Sequence, residues 1–346
     1  MNPKRIVSLV SVAILLVATI FGVVVYLKAF TANTKFNESE VFVYIPTNST
    51  YEEVKKIMEP YVESLDKFQF VAEKRGYNAN VNPGKFLLKK GMNSFSIVSS
   101  LRHNVPVKLA FNNQESLGKL VQRMASQIEP DSLTLTQVFT DSTFMAENGF
   151  NEENILGMFI PNTYEFYWNV SPTKFRDKLA KEYRRFWNEE RQAKAKALNM
   201  TPQQVTALAA IVHEETAKVS ERPRVAGVYL NRLKQEMPLQ ADPTVIYAVK
   251  RESGDFDQVI KRVLFKDLKI NSPYNTYIHT GLPPGPIAMP DISAIDAVLN
   301  AEQHDYIYFC ASVDRAGYHD FAATYEAHQA NAKKYAEWVS KLGINR

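Results

Sequence analysis

The chain has 346 residues, of which 45% are hydrophobic and 23% are charged, a balance typical of folded domains. The formal net charge is only +4, and no segment collects five or six like charges, so the sequence does not indicate a nucleic-acid-binding protein. The single cysteine, Cys310, excludes an internal disulfide, and the six histidines are scattered. We therefore expect neither a metal ion nor another cofactor.

The first distinctive segment is an apolar run near the N-terminus. Residues 6–27 carry no charged side chain, and a helix of this length crosses the ~30 Å hydrocarbon core of a membrane. A cleaved signal peptide is the alternative, but the run is longer than a usual signal core and no clear cleavage site follows it. Lys4 and Arg5 precede the run, which favours a cytoplasmic N-terminus. We predict a cytoplasmic tail over residues 1–5, a retained transmembrane anchor over 6–27 and a polar linker over 28–40.

Residues 41–130 have the pattern of small α+β elements without a catalytic cluster. Residues 41–45 alternate as in a strand, and a capping box over residues 49–52 begins a helix. The later predicted elements are a short apolar run at 86–88, a helix at 94–101, a strand at 107–111 and a helix at 116–128. We predict one compact region that acts as a spacer or a binding module.

Residues 131–346 form the predicted second domain, which is also of mixed α+β type. It begins with a polar, helix-compatible stretch over residues 131–153, and an aromatic-rich segment follows at residues 162–168. A long charged helix is predicted from Pro172 to about Leu198, and its Lys, Arg and Glu side chains are typical of a solvated face. The predicted fold class is α+β with an N-terminal transmembrane helix.

The strongest helix signal of the chain begins at Thr201. Thr201 is a favourable N-cap, Pro202 stands at the first helical position, and Gln204 completes a capping box. Apolar side chains then recur at the spacing of one buried helix face, namely at Val205, Leu208, Ile211 and Val212. Glu215 is the next position of this stripe, whereas Glu214 is rotated by about 100° onto the flank. Because burial disfavours an ionised carboxylate, the stripe predicts a carboxyl group of raised pKa, which is a potential general acid.

This helix end has two other interpretations. Glu215 could have a structural role, in which it caps the helix or pairs with Arg222 or Arg224, and the spacing alone leaves this possibility open. The pair His213-Glu214 also begins like the zinc-protease motif H-E-x-x-H. That motif needs a second histidine at position 217, where this chain has alanine, so the zinc interpretation fails.

Polar and aromatic loops follow the next predicted helix, Arg222–Lys234. They are dense in Tyr, Asn, Thr and Gln, and Pro and Gly residues restrict their backbone. The loops cover residues 239–247, 272–277 and 281–287. Sugar rings offer hydroxyl groups at their edges and C–H groups on their faces, so amide and aromatic side chains suit a saccharide cleft.

In their order along the chain these motifs resemble those of the YceG-like family of endolytic murein transglycosylases. The motifs are Glu215-Thr216, Ser220-Glu221-Arg222, Asn231-Arg232, Leu239-Gln240-Ala241-Asp242-Pro243-Thr244, Tyr274-Asn275-Thr276-Tyr277 and Gly281-Leu282-Pro283-Pro284-Gly285. The resemblance covers nearly the whole chain and includes a LysM-like region around Gly84 to Leu101. Two positions depart from it, since family members often carry Glu-Lys in place of His213-Glu214 and Asp in place of Asn162.

The resemblance implies cleavage of the β-1,4 bond between N-acetylmuramic acid and N-acetylglucosamine, which leaves 1,6-anhydro-muramic acid ends. It implies a LysM-like α+β region over residues 41–130 and a catalytic domain over residues 131–346, with Glu215 as the catalytic acid. The expected substrate-binding residues are Gln240, Asp242, Tyr274, Asn275, Thr276, Tyr277, His319 and Phe321. A structural role is the alternative for His319.

The resemblance also implies a place in the cell and a set of partners. We expect a single-pass protein of the inner membrane with its catalytic part on the periplasmic side, acting on peptidoglycan glycan strands and accompanied by wall synthases. The first alternative is a non-catalytic, membrane-anchored scaffold that binds peptidoglycan. The second is a hydrolase, which would need a second carboxylate at the cleft, from Glu165, Glu221 or Asp242.

Overall fold

The computed structural model describes residues 3–341, and the chain divides into two compact units. The first unit contains Met1–Leu109, Gln127–Pro130 and Tyr164–Ser171, and the second contains Ala110–Ser126, Asp131–Thr163 and Pro172–Arg346. This division differs from a single boundary at residue 130, because the chain passes between the units more than once. The mixed α+β class is confirmed.

Helix α1 spans Pro3–Ala29 at the N-terminal end of the first unit. Among the described residues, its segment Lys4–Ala29 is the one helix that is long and apolar enough to cross a membrane. Its side chains are exposed from residue 4 to residue 24. The predicted apolar helix is confirmed, and its insertion into a membrane stays a prediction.

The segment that follows α1, predicted as part of a polar linker, is hydrogen-bonded to other residues of the first unit. Asn33 is fully buried, and its side-chain amide donates to the Ser64 carbonyl at 2.9 Å and to the Ser94 hydroxyl at 3.0 Å. Its amide oxygen accepts from the Ser64 N–H at 2.8 Å. Buried amides require such partners. The polar composition that suggested a linker therefore supplies hydrogen bonds within the folded unit.

The body of the first unit is a two-stranded sheet with three helices. Its elements are strand β1 at Glu40–Ile45, helix α2 at Tyr51–Met58, helix α3 at Leu65–Lys74, strand β2 at Gly84–Lys89 and helix α4 at Ser94–Ser100. Strands β1 and β2 are antiparallel, with Glu40 opposite Lys89 and Ile45 opposite Gly84. Helix α2 begins one residue later than predicted, because its capping box joins Thr50 and Glu53. Helix α3 was not predicted, and the description of this region as LysM-like stays a prediction.

Strand β3 at Pro106–Phe111 and strand β4 at Asn162–Tyr167 form the second two-stranded sheet. The boundary between the two units runs through both strands. This pairing joins segments about fifty residues apart, so local sequence patterns could not show it.

The second unit begins with five helices. They are α5 at Leu117–Ala125, α6 at Ser132–Phe139, α7 at Ser142–Glu147, α8 at Pro172–Phe186 and α9 at Glu189–Ala197. The long charged helix predicted from Pro172 to about Leu198 is therefore two helices. The chain breaks where Trp187 is buried and Asn188 caps α9, with its side chain accepting from the Arg191 N–H at 3.0 Å.

The central helix of the second unit is α10, Pro202–Glu215, which begins with the predicted capping box of Thr201 and Gln204. All residues from Val205 to Val212 are buried, which is typical of a helix surrounded by protein rather than one with a single buried face. Helices α11 at Arg222–Lys234, α12 at Asp242–Ser253 and α13 at Ile292–Leu299 pack against it. Strand β5 at Tyr308–Ala311, strand β6 at His319–Ala322 and helix α14 at Tyr325–Lys341 complete the unit.

Candidate active site

Glu215 is the last residue of α10, and it is half-buried. The Tyr229 hydroxyl of α11 donates a hydrogen bond to Glu215 Oε1 at 2.7 Å. Desolvation by the surrounding protein raises the pKa of Glu215 to about 7, although the Tyr229 hydrogen bond acts in the opposite direction. A carboxyl group with a pKa near neutrality can both give and take a proton at physiological pH. Glu215 therefore has the environment that its position on the stripe predicted.

The α11 side of the site contains two residues that sequence reasoning did not select, Tyr229 and Arg232. Tyr229 is almost fully buried, and burial followed by the charge of Glu215 raises its pKa well above the usual range. Arg232 is also buried, and it donates to the carbonyl oxygens of Ile307 at 2.7 Å and Leu239 at 2.6 Å. Both of these partners are neutral, and the positive charge of Arg232 lowers the pKa of Glu215.

Asp242 and Tyr277 form a hydrogen-bonded pair, and the charge of Asp242 affects the pKa of Glu215. The Tyr277 hydroxyl donates to Asp242 Oδ1 at 2.6 Å. The negative charge of Asp242 is the largest charge effect that raises the pKa of Glu215. Asp242 is exposed and Tyr277 is half-buried, so both can be approached from solvent.

Gln240 stands just before this pair, with its backbone in the left-handed region at φ 51°. Its N–H donates to the Thr276 carbonyl at 3.0 Å, and its side chain is exposed. The neighbouring loop is thereby tied to the start of α12. The structure places Gln240, Asp242 and Tyr277 on neighbouring segments, and their contact with substrate stays a prediction.

Tyr274, Asn275 and Thr276, by contrast, are buried, and their polar groups bond inside the protein. The Tyr274 hydroxyl donates to the Glu153 carboxylate at 2.9 Å, where Arg251 also binds. Asn275 donates to two backbone carbonyls, each at 3.0 Å, and accepts from the Tyr277 N–H at 3.0 Å. The Thr276 hydroxyl accepts from the Ala241 N–H at 3.0 Å. These side chains hold the loop that carries Tyr277.

Gly285 explains the glycine at the end of the Gly281-Leu282-Pro283-Pro284-Gly285 motif. A Cβ atom at this position would collide with the backbone carbonyl of Glu153. Only glycine allows the two segments to approach this closely. The motif is therefore packed against the same residue that binds Tyr274.

Half-buried His319 pairs with buried Glu221 in the second unit. The His319 ring Nδ1 lies 2.7 Å from Glu221 Oε2, and the His319 N–H donates to Glu221 Oε1 at 2.8 Å. Glu221 also accepts from the hydroxyl of Thr216, the residue after Glu215, at 3.3 Å. Phe321 lies in the same strand, with its ring 6.4 Å from that of His319.

Phe309 links this cluster to Tyr229. Its ring is edge-on to Tyr229 at 5.9 Å and edge-on to His319 at 5.1 Å. The predicted residues His319 and Phe321 are therefore joined to the Glu215 site through packed aromatic rings and through Thr216.

Glu214 faces a different set of residues from Glu215. Its side chain is 40% exposed, and burial followed by the charge of Glu115 raises its pKa. His213 lies between Asn113 at 2.8 Å and Arg222 at 3.1 Å, and Arg222 pairs with Asp291 at 3.1 Å. Among residues 3–341, no group of three or more His, Cys, Asp or Glu side chains is placed to hold a metal ion.

The residues missed from the sequence, Tyr229 and Arg232, lie on a helix whose bounds were predicted correctly. Tyr229 is fourteen positions after Glu215, beyond a turn and a short 3-10 helix. No periodic spacing relates the two across such a break. Only the packing of α11 against α10 brings the hydroxyl to the carboxyl group.

The second unit has the features of an acid–base enzyme. It is a mixed α+β unit that contains a half-buried acid of raised pKa, a tyrosine donor and an exposed polar loop. The family model described as YceG-like family matches residues 43–334. The chain belongs to the YceG-like family, which confirms the predicted family.

Relatives with curated names agree with this assignment. The chain is 28% identical over 322 residues to a Bacillus subtilis protein named endolytic murein transglycosylase, covering 87% of this chain and 86% of that protein. It is 35% identical over 147 residues to a protein of the same name from Streptococcus pneumoniae, covering 42% of this chain and 26% of that longer protein. The crystal structure of a yceG-like protein from Listeria monocytogenes is also similar, with a TM-score of 0.58, 26% identity, and coverage of 85% of this chain and 99% of that one.

Proposed function

We propose that this protein is an endolytic lytic transglycosylase that cuts peptidoglycan between N-acetylmuramic acid and N-acetylglucosamine and leaves 1,6-anhydro-muramic acid ends. The observation that carries the proposal is the half-buried Glu215, with its pKa raised to about 7 and one oxygen bonded to Tyr229. The names of the relatives support the same activity.

In the first step, protonated Glu215 gives its proton to the glycosidic oxygen while the bond from that oxygen to the anomeric carbon breaks. The resulting carboxylate then takes the proton of the muramic acid's own C6 hydroxyl. The C6 oxygen forms the new bond to the anomeric carbon, so no water is consumed and Glu215 is protonated again. Because the nucleophile belongs to the substrate, holding the sugar ring in a reactive geometry supplies much of the rate.

Tyr229 decides which oxygen of Glu215 carries the transferred proton. Its hydroxyl donates to Oε1 at 2.7 Å, so the proton of the neutral acid resides on Oε2. The pKa of Tyr229 is far above neutrality, and the hydroxyl remains a donor throughout the reaction. Its hydrogen bond strengthens when Glu215 becomes a carboxylate, since charge-assisted hydrogen bonds are the stronger ones.

Substrate contacts are assigned by exposure. Gln240, Asp242 and Tyr277 have accessible polar groups, and His319 and Phe321 are half-buried. We assign Tyr274, Asn275 and Thr276 the role of holding the loop, because their side chains are buried and already hydrogen-bonded. This is a narrower role than the direct contact expected from the motif.

Hydrolysis is the second candidate activity, and Asp242 favours it. Glycosidases that use water need two carboxyl groups, and Asp242 is an exposed carboxylate whose charge acts on Glu215. Glu221 is less suited, because His319 and Thr216 already occupy its oxygens. Glu165 belongs to the first unit.

Mass spectrometry of the products tests the proposal. The full-length protein in nanodiscs is incubated with purified sacculi, with Glu215→Gln as the inactive control. Products ending in anhydro-muramic acid that are absent with the variant support the proposal. Reducing ends alone would instead indicate the hydrolase, and the absence of any product would favour a scaffold that binds glycan without cutting it.

We further propose that α1 anchors the protein in the cytoplasmic membrane, that the remainder lies on the periplasmic side, and that the first unit is a LysM-like glycan-binding module. Wall synthases are the proposed protein partners. The apolar helix supports the anchor. Binding of the full-length Glu215→Gln protein to uncut glycan strands tests the module: binding should fall when exposed side chains of the first unit are changed.

A further inference from the structure

The C-terminal end of α1 is built into the first unit rather than joined to it by a flexible segment. Ala29 is buried, and Val25 and Lys28 are half-buried on the same face of the helix. Helices α3 and α4 pack against α1. The side chain of Lys67, on α3, donates to the Thr31 hydroxyl at 3.0 Å. The direction in which α1 leaves the unit is therefore determined by packing.

Three aromatic rings form a row on the surface where α1 meets α4. The Tyr26 and Phe30 rings are 6.3 Å apart, and Phe30 stacks on Phe95 at 5.5 Å. The guanidinium group of Arg75 lies 4.3 Å from the centre of the Phe95 ring. All three rings are substantially exposed, at 61% for Tyr26, 47% for Phe30 and 41% for Phe95. This aromatic row (Tyr26, Phe30, Phe95) is continuous with the apolar surface of α1.

The length of α1 sets the depth at which the aromatic row would lie. The uncharged run of residues 6–27 extends about 33 Å as a helix, which matches the hydrocarbon core of a membrane. Residues after Leu27 then lie in the headgroup layer. Because α4 packs against this end of α1, Phe95 lies at the same level although it is distant in sequence.

We propose that the aromatic row, together with Lys28 and Arg75, is a lipid-binding surface that seats the first unit on the outer leaflet of the membrane. Tyrosine is enriched at the membrane interface, phenylalanine is common on the apolar side of segments that lie in that interface, and the two cations suit lipid phosphate groups. The surface continues the lipid-facing side of α1, which is why its occupant is lipid and not another protein. This inference rests on the proposed membrane anchor.

Quenching of tryptophan fluorescence by brominated lipids tests the proposal in the full-length protein. The protein is placed in nanodiscs of phosphatidylethanolamine and phosphatidylglycerol that are brominated near the headgroup end of the acyl chains. Phe95→Trp reports on the row, and Phe21→Trp reports on the middle part of α1. Phe42→Trp is the matched control, because Phe42 is also in the first unit, is 38% exposed and has the Lys85 ammonium 3.8 Å from its ring. Signals are corrected with the wild-type protein.

The proposal expects the emission added by Phe95→Trp to be quenched at least about twice as strongly as that added by Phe42→Trp, as for an interfacial ring. Quenching at Phe21→Trp without quenching at Phe95→Trp would overturn the lipid-binding surface and leave the anchor intact. Equal quenching at residues 42 and 95 would also overturn it, since the aromatic row would then contact lipid no more than the control position does. Absence of quenching at Phe21→Trp would instead contradict the anchor itself.

Discussion

Glu215 is the residue on which the proposed chemistry depends, and Glu215→Gln is its sharpest test. The amide keeps the shape of the side chain but has no transferable proton, so turnover should fall by about 10²–10⁴-fold. Folding should survive, because the neutral acid and the amide have the same charge. Glycan cleavage by the purified variant and its melting temperature are the two measurements.

Glu214→Gln is the control for this change, since its side chain is 40% exposed and faces Glu115 and Lys250. We expect a much smaller loss of turnover. Near-normal turnover in a well-folded Glu215→Gln protein would remove Glu215 from the mechanism.

Tyr229→Phe tests the donor that sequence reasoning missed. Hydrogen bonds to charged groups contribute about 1.5–3 kcal/mol, which corresponds to a loss of roughly 10–100-fold in turnover. The hydrogen bond also lowers the pKa of Glu215, so the alkaline limb of the pH–rate profile should move to higher pH. A purely structural role for Tyr229 would not move that limb.

Tyr183→Phe is the matched control for the tyrosine. The Tyr183 hydroxyl is buried and has no hydrogen-bond partner among the described residues. Removing it should leave both the turnover and the pH profile unchanged.

The raised pKa of Glu215 also predicts how stability depends on pH. Between the ordinary carboxyl pKa of 4.5 and about 7, the folded protein keeps a proton that the unfolded chain releases. The free energy of unfolding contributed by this residue is therefore fully present below pH 4.5 and is lost as the pH rises towards 7. Melting temperatures of the wild type and Glu215→Gln should diverge across this window, with the wild type losing stability relative to the variant. Parallel curves would show that the pKa is not raised.

At the scale of elements, the loop before Tyr277 depends on Asn275. Asn275→Ala would remove the side-chain donor of the Leu268 carbonyl and one of the two donors of the Ile270 carbonyl, which also accepts from the Ser272 N–H. The loss of these hydrogen bonds should cost about 1–3 kcal/mol. We expect a lower melting temperature and weaker glycan cleavage, measured on the same preparation. Asn271→Ala, at an exposed position of the same loop, should change neither property. Full stability of Asn275→Ala would argue against the holding role.

The helices illustrate which elements the sequence could predict. Helix α10 carries its own start signal in Thr201, Pro202 and Gln204, and α11 was predicted with its observed bounds. The sequence pattern predicts neither helix α3 nor the break between α8 and α9. That break depends on the burial of Trp187, which is a tertiary effect. The charged side chains on both helices give one continuous pattern, so the pattern does not indicate the break.

At the scale of the whole molecule, α1 is expected to remain attached to the mature protein. The segment after it is packed into the first unit through Asn33, so the helix continues directly into folded structure. Protein extracted from membranes after a high-salt wash should retain residues 6–27 when its N-terminus is sequenced. A mature N-terminus near Ala29 or Asn33 would show that the segment is a cleaved signal peptide.

The sequence alone determined the apolar helix, the mixed fold class and the position of Glu215 at the end of the apolar stripe of α10. These features follow from composition and from spacing within single elements. It did not separate the fully buried residues of a motif from the accessible ones, since Tyr274 and Tyr277 belong to the same motif and only the first is fully buried. The Tyr229 hydrogen bond and the docking of Asn33 and Phe95 depend on how distant helices pack. Such contacts arise from the three-dimensional arrangement of side chains, and no local pattern encodes them.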